Sequence, residues 1–214
     1  MKFDDFSERL SKIKNLPLPG QSAHYKMAPM NRVDELERMK KYRKNAKKAG
    51  VMALFYPNTD HFTHLLLILR KTYKGVHSNQ IGFPGGKVEL QDADILATAL
   101  RETHEEVGVD PQHVEVIRSL TQLYIPPSNF DVQPYIGLYK NVRPFSVQET
   151  EVEALVEVSL TDFMDDKKII NQRLTTSYSD EKIPVPAFIL NGYTVWGATA
   201  MMLSEIKELF RQVL

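Results

Sequence analysis

A mixed β-sheet covered by helices is the fold predicted by three features of the chain. Strand-like segments lie both before and after one amphipathic helix, the run Leu65 to Leu69 is continuously apolar, and the last stretch of chain again carries helical periodicity. At 214 residues with 43% hydrophobic content, the chain can bury a substantial core. Its length demands no second domain.

Taken in order, Phe3, Phe6, Leu10 and Ile13 predict a short amphipathic helix, which Pro17, Pro19 and Gly20 end in an irregular stretch. Residues 31–48 read as a second helix. It carries Lys40, Lys41, Arg43, Lys44, Lys47 and Lys48, a basic run that is either a solvated face or a surface for RNA, a membrane or an anionic substrate. Only Tyr42 interrupts it as an aromatic, so stacking of single-stranded bases has little support. Val51 to Tyr56 and Thr63 to Arg70 read as adjacent strands, the second of them interior. Further strands are expected at residues 114–124, 132–140 and 152–160. Trp196 to Leu209 closes the chain as a helix, with Met201, Met202, Ile206 and Leu209 as an apolar stripe belonging to the core.

The central helix follows from Ala93, Leu96, Ala97, Leu100 and Val107, which recur at helical spacing, with Asp92 or Asp94 as its cap and Gly108 as its end. At about 100° per residue, Glu102, Glu105 and Glu106 fall on the opposite face, pointing away from the core. No neighbour in sequence neutralises all three. Like charges at this spacing destabilise a helix by a few tenths of a kcal/mol, so the cluster is either solvated or meets a cation. Two neighbours favour the cation. Arg101 can orient a carboxylate by a charge-assisted hydrogen bond, and Gly85-Gly86, lacking Cβ atoms, let backbone come close to a ligand.

From Gly86 through Asp92 to Arg101-Glu102-Thr103-His104-Glu105-Glu106-Val107-Gly108-Val109, the chain resembles the Nudix hydrolases, whose signature ends Arg-Glu-aliphatic-x-Glu-Glu-x-Gly-aliphatic. Three positions depart from it. Asp92 stands for a glutamate, the stretch from Asp92 to Arg101 is one residue longer, and Thr103 replaces an aliphatic residue. Upstream, Arg70 and the segment His77-Ser78-Asn79-Gln80-Ile81-Gly82 before Phe83-Pro84-Gly85-Gly86 are similar to the coenzyme A pyrophosphatase branch of that family. So are Pro126 to Phe130 with Pro134, and Trp196 to Ala200. Lys71, Gly75 and Asn79 differ from the small residue, arginine and glycine of that branch.

The resemblance implies an α/β/α sandwich with a mixed sheet and a loop-helix-loop catalytic motif, built as one domain over residues 1–214 with residues 1–48 as an N-terminal helical extension. It also implies hydrolysis of a pyrophosphate linkage with Mg²⁺ or Mn²⁺ held by Glu102, Glu105 and Glu106. Coenzyme A or a derivative, cleaved to 3′,5′-ADP and 4′-phosphopantetheine, is the leading substrate. The shared signature also serves hydrolases of ADP-ribose, dinucleotides or nucleoside triphosphates, and a non-catalytic regulator of the same fold is a third reading. The general base is Glu102 or Glu106, or else Glu151, which is alternatively a further ligand or a solvated loop acid. Arg101 orients the carboxylates. Arg70, Lys71 and Lys74 hold phosphates, including a 3′-phosphate, while His77 and Gln80 orient substrate or brace the loop before Gly85 and Gly86.

Composition narrows the setting. The absence of cysteine removes disulfides, thiolate metal sites and cysteine nucleophiles. With 27 basic and 27 acidic residues, no global field draws the chain to nucleic acid or membrane. Charged residues at the start with no apolar run behind them are unlike a secretory signal, and no stretch matches a membrane span. A cytoplasmic protein acting on a small nucleotide-type pyrophosphate is expected. The first 48 residues either cover the sheet, form a homodimer contact or stay mobile.

Overall fold

Side chains alternate between the two faces of a strand, and in the two central strands both faces are buried. In β1 (Lys47–Pro57), Met52, Leu54 and Tyr56 join one apolar cluster while Ala53 and Phe55 join another. In β2 (Thr63–Arg70), Leu66 and Ile68 part from Leu65 and Leu67 in the same way. Helices must therefore cover the sheet on both sides. The expectation that the second strand is interior is met.

The computed structural model describes residues 1–29, 33–71, 80–140, 142–176 and 179–214. The helices are α1 (Phe3–Leu10), α2 (Gln21–Tyr25), α3 (Val33–Met39), α4 (Ile95–Val107), α5 (Leu160–Met164) and α6 (Gly197–Phe210). The remaining strands are β3 (Ile81–Gly82), β4 (Gly85–Lys87), β5 (Val114–Ser119), β6 (Leu123–Ile125), β7 (Phe130–Tyr139), β8 (Val152–Ser159), β9 (Ile169–Thr176), β10 (Ser179–Leu190) and β11 (Tyr193–Trp196). Among the described residues the main sheet has eight strands along the order β3-β2-β1-β7-β5, with β4 on β1, β6 on β7 and β8 on β2. It is mixed, because β1 and β7 run parallel while the other pairs are antiparallel. Ala99 and Val107 of α4 pack on one face, and Phe6, Leu203, Ile206 and Phe210 of α1 and α6 pack on the other. The result is an α/β/α sandwich. Among the described residues no helix is long and apolar enough to cross a membrane.

Phe3, Phe6, Leu10 and Ile13 are all buried, so this part of the N-terminal segment covers the sheet. The Phe6 ring lies 5.3 Å from that of Phe55 and 5.4 Å from that of Phe210, bridging sheet and terminal helix. A second tie is polar. The buried Glu205 carboxylate of α6 pairs with His24 of α2 at 3.0 Å and accepts hydrogen bonds from the Gly20 backbone N–H and the Thr121 hydroxyl.

Two expectations need correction, and one sheet was not foreseen. The helix expected over residues 31–48 ends at Met39 and continues only as a 3₁₀ segment to Asn45, because Lys47 and Lys48 pair with Phe130 and Asp131 at the start of the β1·β7 ladder. Tertiary pairing overrides the local helical tendency there. The basic run is split accordingly, with Arg43 and Lys48 each 2.7 Å from the buried Asp131 carboxylate. The strand expected at 114–124 is broken at Leu120 to Gln122, where the Thr121 N–H donates to Glu205 instead of to a neighbouring strand. Finally, the antiparallel sheet β11-β10-β9 has no counterpart in the expected elements. Its middle strand contains Pro184 and Pro186, which argue against a strand from sequence alone. Both lie where β10 pairs only with β9, since β11 begins its pairing at Ala187.

Replacing Phe6 by alanine should cost about 3 to 5 kcal/mol of stability in urea denaturation, as for a fully buried aromatic. A loss under about 1 kcal/mol would mean that the N-terminal helix is not part of the core.

Candidate active site

Helix α4 carries the acidic cluster, and its ends are fixed by local chemistry. The Asp94 carboxylate accepts a hydrogen bond from the Ala97 N–H at 2.7 Å, and Gly108 ends the helix at φ 74°. Beyond it, the Ser146 and Gln148 N–H groups donate to the carbonyls of Val107 and Glu106 at 3.1 and 3.0 Å. These bonds satisfy carbonyls that the last helical turn would otherwise leave unpaired. Thr103, at the position that is aliphatic in the signature, is buried with its hydroxyl donating to the Ala99 carbonyl at 2.6 Å.

The helix lies on glycine. A Cβ on Gly50 of β1 would stand 2.3 Å from the Ile95 carbonyl oxygen, so the first turn of α4 touches strand backbone directly. A Cβ on Gly86 would come within 2.5 Å of both carboxylate oxygens of Glu102. Glu102 is thus seated on the bare backbone of β4, where Gly86 pairs with Gly50 of β1. That requirement explains Gly86 better than general turn flexibility does.

The buried face of α4 is rotated from the expected one. Thr98, Ala99, Thr103, Glu106 and Val107 are buried, Leu96, Ala97 and Leu100 are half-buried, and Ala93 is exposed ahead of the helix. Glu105 does point outward, but Glu106 is only 1% exposed, against the expectation that all three glutamates face away from the core. A partner from β2 makes its burial tolerable. Arg70 Nη1 donates to Glu106 Oε1 at 2.8 Å, and the Gly85 N–H donates to Oε2 at 2.8 Å.

Arg101 serves the other two glutamates. It lies 3.1 Å from Glu102 and 2.9 Å from Glu105, and it grips Asp92 with two bonds of 2.8 and 3.0 Å. That grip holds the Asp92 carboxyl well below the usual range, although burial opposes the shift. Asp92 also accepts from the Glu89 N–H and the Thr98 hydroxyl. The residue at the signature's first acidic position therefore anchors the loop and the arginine.

Burial raises the Glu102 carboxyl and repulsion from Glu105 and Glu151 adds to this, while Arg101 works against both. Glu106 is raised to about 7, chiefly by burial, with Glu102 adding repulsion and Arg70 and the Gly85 N–H opposing. Glu151 is brought into this field by its own loop. Its N–H donates to the Gln148 carbonyl at 3.0 Å and its carbonyl accepts from the Lys71 N–H at 2.8 Å. Among the described residues, no three carboxylate or imidazole side chains are gathered closely enough to hold a metal ion.

A cleft of about 210 Å³ opens beside Gly86. Arg70, Phe83, Gly85, Gly86 and Lys87 form one side, Ile125, Phe130 and Val132 another, and Ala198, Thr199 and Met202 of α6 the third. Arg70 also donates to the Gly85 carbonyl at 2.7 Å. Lys71 lies outside this lining and pairs with Glu153 at 3.4 Å, both side chains being exposed. Gln80 is half-buried, and its carbonyl accepts from the Arg70 N–H at 3.1 Å. His77 and Lys74 fall outside the described residues.

The sequence reading missed Gly50, Lys87, Ile125 and the part of Met202 that faces the cleft. Only Gly50 carried a signal, since a glycine next to a strand pattern marks close approach of another backbone.

Helix, glycine turn and arginine together are the loop-helix-loop of a known family, and the chain belongs to it: the NUDIX domain family model matches residues 46–177. Two bacterial relatives carry the name "uncharacterized Nudix hydrolase NudL". The protein from Enterobacter sp. (strain 638) is 32% identical over 146 residues, covering 66% of this chain and 72% of the relative. That from Salmonella paratyphi B is 34% identical with the same coverage. The fold is also similar to the solved Nudix hydrolase RenU of M. smegmatis, with a TM-score of 0.54, 12% identity, and coverage of 79% of this chain and 88% of that one. The protein is a Nudix pyrophosphohydrolase, an enzyme that hydrolyses pyrophosphate bonds.

Gly86→Ala should lower kcat/KM about 100-fold, because its methyl group displaces the Glu102 carboxylate by about an ångström. Near-normal activity would show that the seat of Glu102 does not matter. A second outcome concerns pH. The native state holds the Glu106 proton more tightly than the unfolded chain does, so metal-free wild-type protein should lose stability as pH rises from 4.5 through about 7. Glu106→Gln, which cannot ionise, should lack that component. Chemical denaturation of both proteins across this range measures it, and parallel profiles would contradict a raised Glu106.

Proposed function

We propose that the enzyme hydrolyses the pyrophosphate of coenzyme A or a derivative, yielding 3′,5′-ADP and 4′-phosphopantetheine, with Mg²⁺ or Mn²⁺ as its cofactor. The observation that carries the substrate reading is a convergence. Arg70, the turn from Phe83 to Gly86, Phe130 and the Ala198-Thr199 segment are distant in sequence, yet they line one cleft that opens beside the seat of Glu102. These are the segments in which the chain resembles the coenzyme A branch.

The donor set suits a hard divalent cation. Glu102, Glu105 and Glu106 offer only carboxylate oxygens, and burial keeps the Glu102 carboxyl raised although Arg101 opposes it. Bound there, the ion supplies charge neutralisation for the phosphate oxygens and a more acidic water. The chain's own groups do the rest. Arg70 and Lys87 line the cleft where phosphates would lie, and Arg101 keeps Glu102 and Glu105 oriented. Glu102 or Glu106 takes the proton of the attacking water, with Glu151 as the alternative base or a further ligand. Lys71 holds an outer phosphate, while His77 and Gln80 orient the substrate or brace the loop. In this reading residues 1–214 act as one domain, residues 1–48 are its N-terminal extension, and the enzyme works in the cytoplasm on a small molecule.

Purified protein with Mg²⁺ should be incubated with coenzyme A, ADP-ribose, NADH and nucleoside triphosphates, and the products separated by chromatography. Preferential release of 3′,5′-ADP from coenzyme A is expected. Preferential turnover of another compound would overturn the substrate reading while leaving the chemistry in place. In the same assay Glu102→Gln and Glu105→Gln should each lose about 100- to 1000-fold in kcat, the scale of losing several kcal/mol of charge stabilisation. A variant that keeps wild-type kcat does not lack a ligand.

A further inference from the structure

The Arg70–Glu106 pair sits on the boundary between the buried carboxylate and the open cleft. Glu106 has both oxygens engaged, one by the Arg70 guanidinium at 2.8 Å and one by the Gly85 N–H at 2.8 Å, and its side chain is 1% exposed. Arg70 is 24% exposed, and its other nitrogen spans to the Gly85 carbonyl at 2.7 Å while its side chain walls the cleft. A single guanidinium thus touches the deepest glutamate of the cluster and the space where substrate would enter.

We propose that Arg70 holds Glu106 back from the metal until a substrate phosphate claims the guanidinium, so that metal and substrate binding strengthen each other. The proposal rests on the metal-dependent reading given above. Its physical basis is an exchange of cations. A buried carboxylate stripped of its partner is strongly destabilised, so Glu106 gives up Arg70 only when another cation takes its place. A phosphate in the cleft offers the guanidinium a two-pronged, charge-assisted partner in return. Glu106 keeps a cationic partner in either state, which keeps the cost of switching low. The resting arrangement agrees with this, since no metal-holding group of three side chains is assembled among the described residues. Glu102 and Glu105 are already near each other through Arg101, and Glu106 is the member whose two oxygens are both held from outside its own helix. Coupling of this kind is reciprocal, so weakening the Arg70 grip should raise metal affinity in the absence of any substrate.

The test is Mn²⁺ binding by the metal-free, substrate-free full chain at mildly alkaline pH, read as loss of the free-ion electron paramagnetic resonance signal. Arg70→Gln should bind Mn²⁺ about fivefold or more tightly than wild type, the low end of coupling between sites. In a Glu106→Gln background the same arginine change should give no gain, because the competition it relieves is gone. A folded Arg70→Gln protein with equal or weaker Mn²⁺ affinity overturns the proposal. So does a gain that persists without Glu106, which would reflect only the removal of a nearby positive charge. Should Arg70→Gln fail to fold, Arg70→Lys keeps the charge without the fork and should show a smaller gain, an unchanged or weaker affinity again overturning the proposal. If wild type and every arginine variant bind no Mn²⁺ at all, the metal-dependent reading itself fails, and the coupling falls with it.

Discussion

The close approach of helix α4 to strand backbone is the constraint on which the rest of the site depends. Gly50 lets the first turn of the helix touch β1, and Gly86 lets the Glu102 carboxylate rest on β4. A side chain at either position would lift the helix or turn the carboxylate away. Once the helix is seated, its remaining residues have fixed destinations: Val107 and Ala99 enter the core, Glu106 meets Arg70, and Glu105 stays at the surface. Backbone geometry in two short glycine-bearing segments thus sets the position of every charged group in the cluster.

The electrostatics follow from that seating. The arginines divide the work, Arg101 holding Asp92, Glu102 and Glu105 while Arg70 holds Glu106 inside. Glu102 and Glu106 are nevertheless raised, chiefly by their burial. Carboxylates held at this depth, beside a cleft lined by Arg70 and Lys87, suit the proposed divalent ion and anionic substrate.

Much of this was legible in the sequence, and what was not has identifiable causes. The acidic helix, the two central strands and the terminal helix announce themselves by periodicity, which depends on neighbours along the chain. Glu106 escaped because its partner Arg70 comes from β2, far from it in sequence, and helical spacing alone cannot say which charged residue will be buried with a counter-ion. Lys47 and Lys48 looked helical because the β7 segment that turns them into strand lies far downstream. Pro184 and Pro186 hid β10, being tolerated there only because β11 does not reach them. The cleft was invisible as a shape, although four of its contributing segments were already marked by their resemblance to one enzyme branch.

The α4 glutamates, with Glu102 seated on Gly86, are proposed to form a divalent-metal centre. Anomalous diffraction from crystals of the full chain, grown with Mn²⁺ and a non-hydrolysable pyrophosphate analogue, tests it most directly. A manganese peak bound by carboxylate oxygens of Glu102 and its α4 partners is expected, with the Arg70 guanidinium turned from Glu106 to a phosphate. Clear density for the analogue in the cleft with no manganese at these glutamates would contradict it.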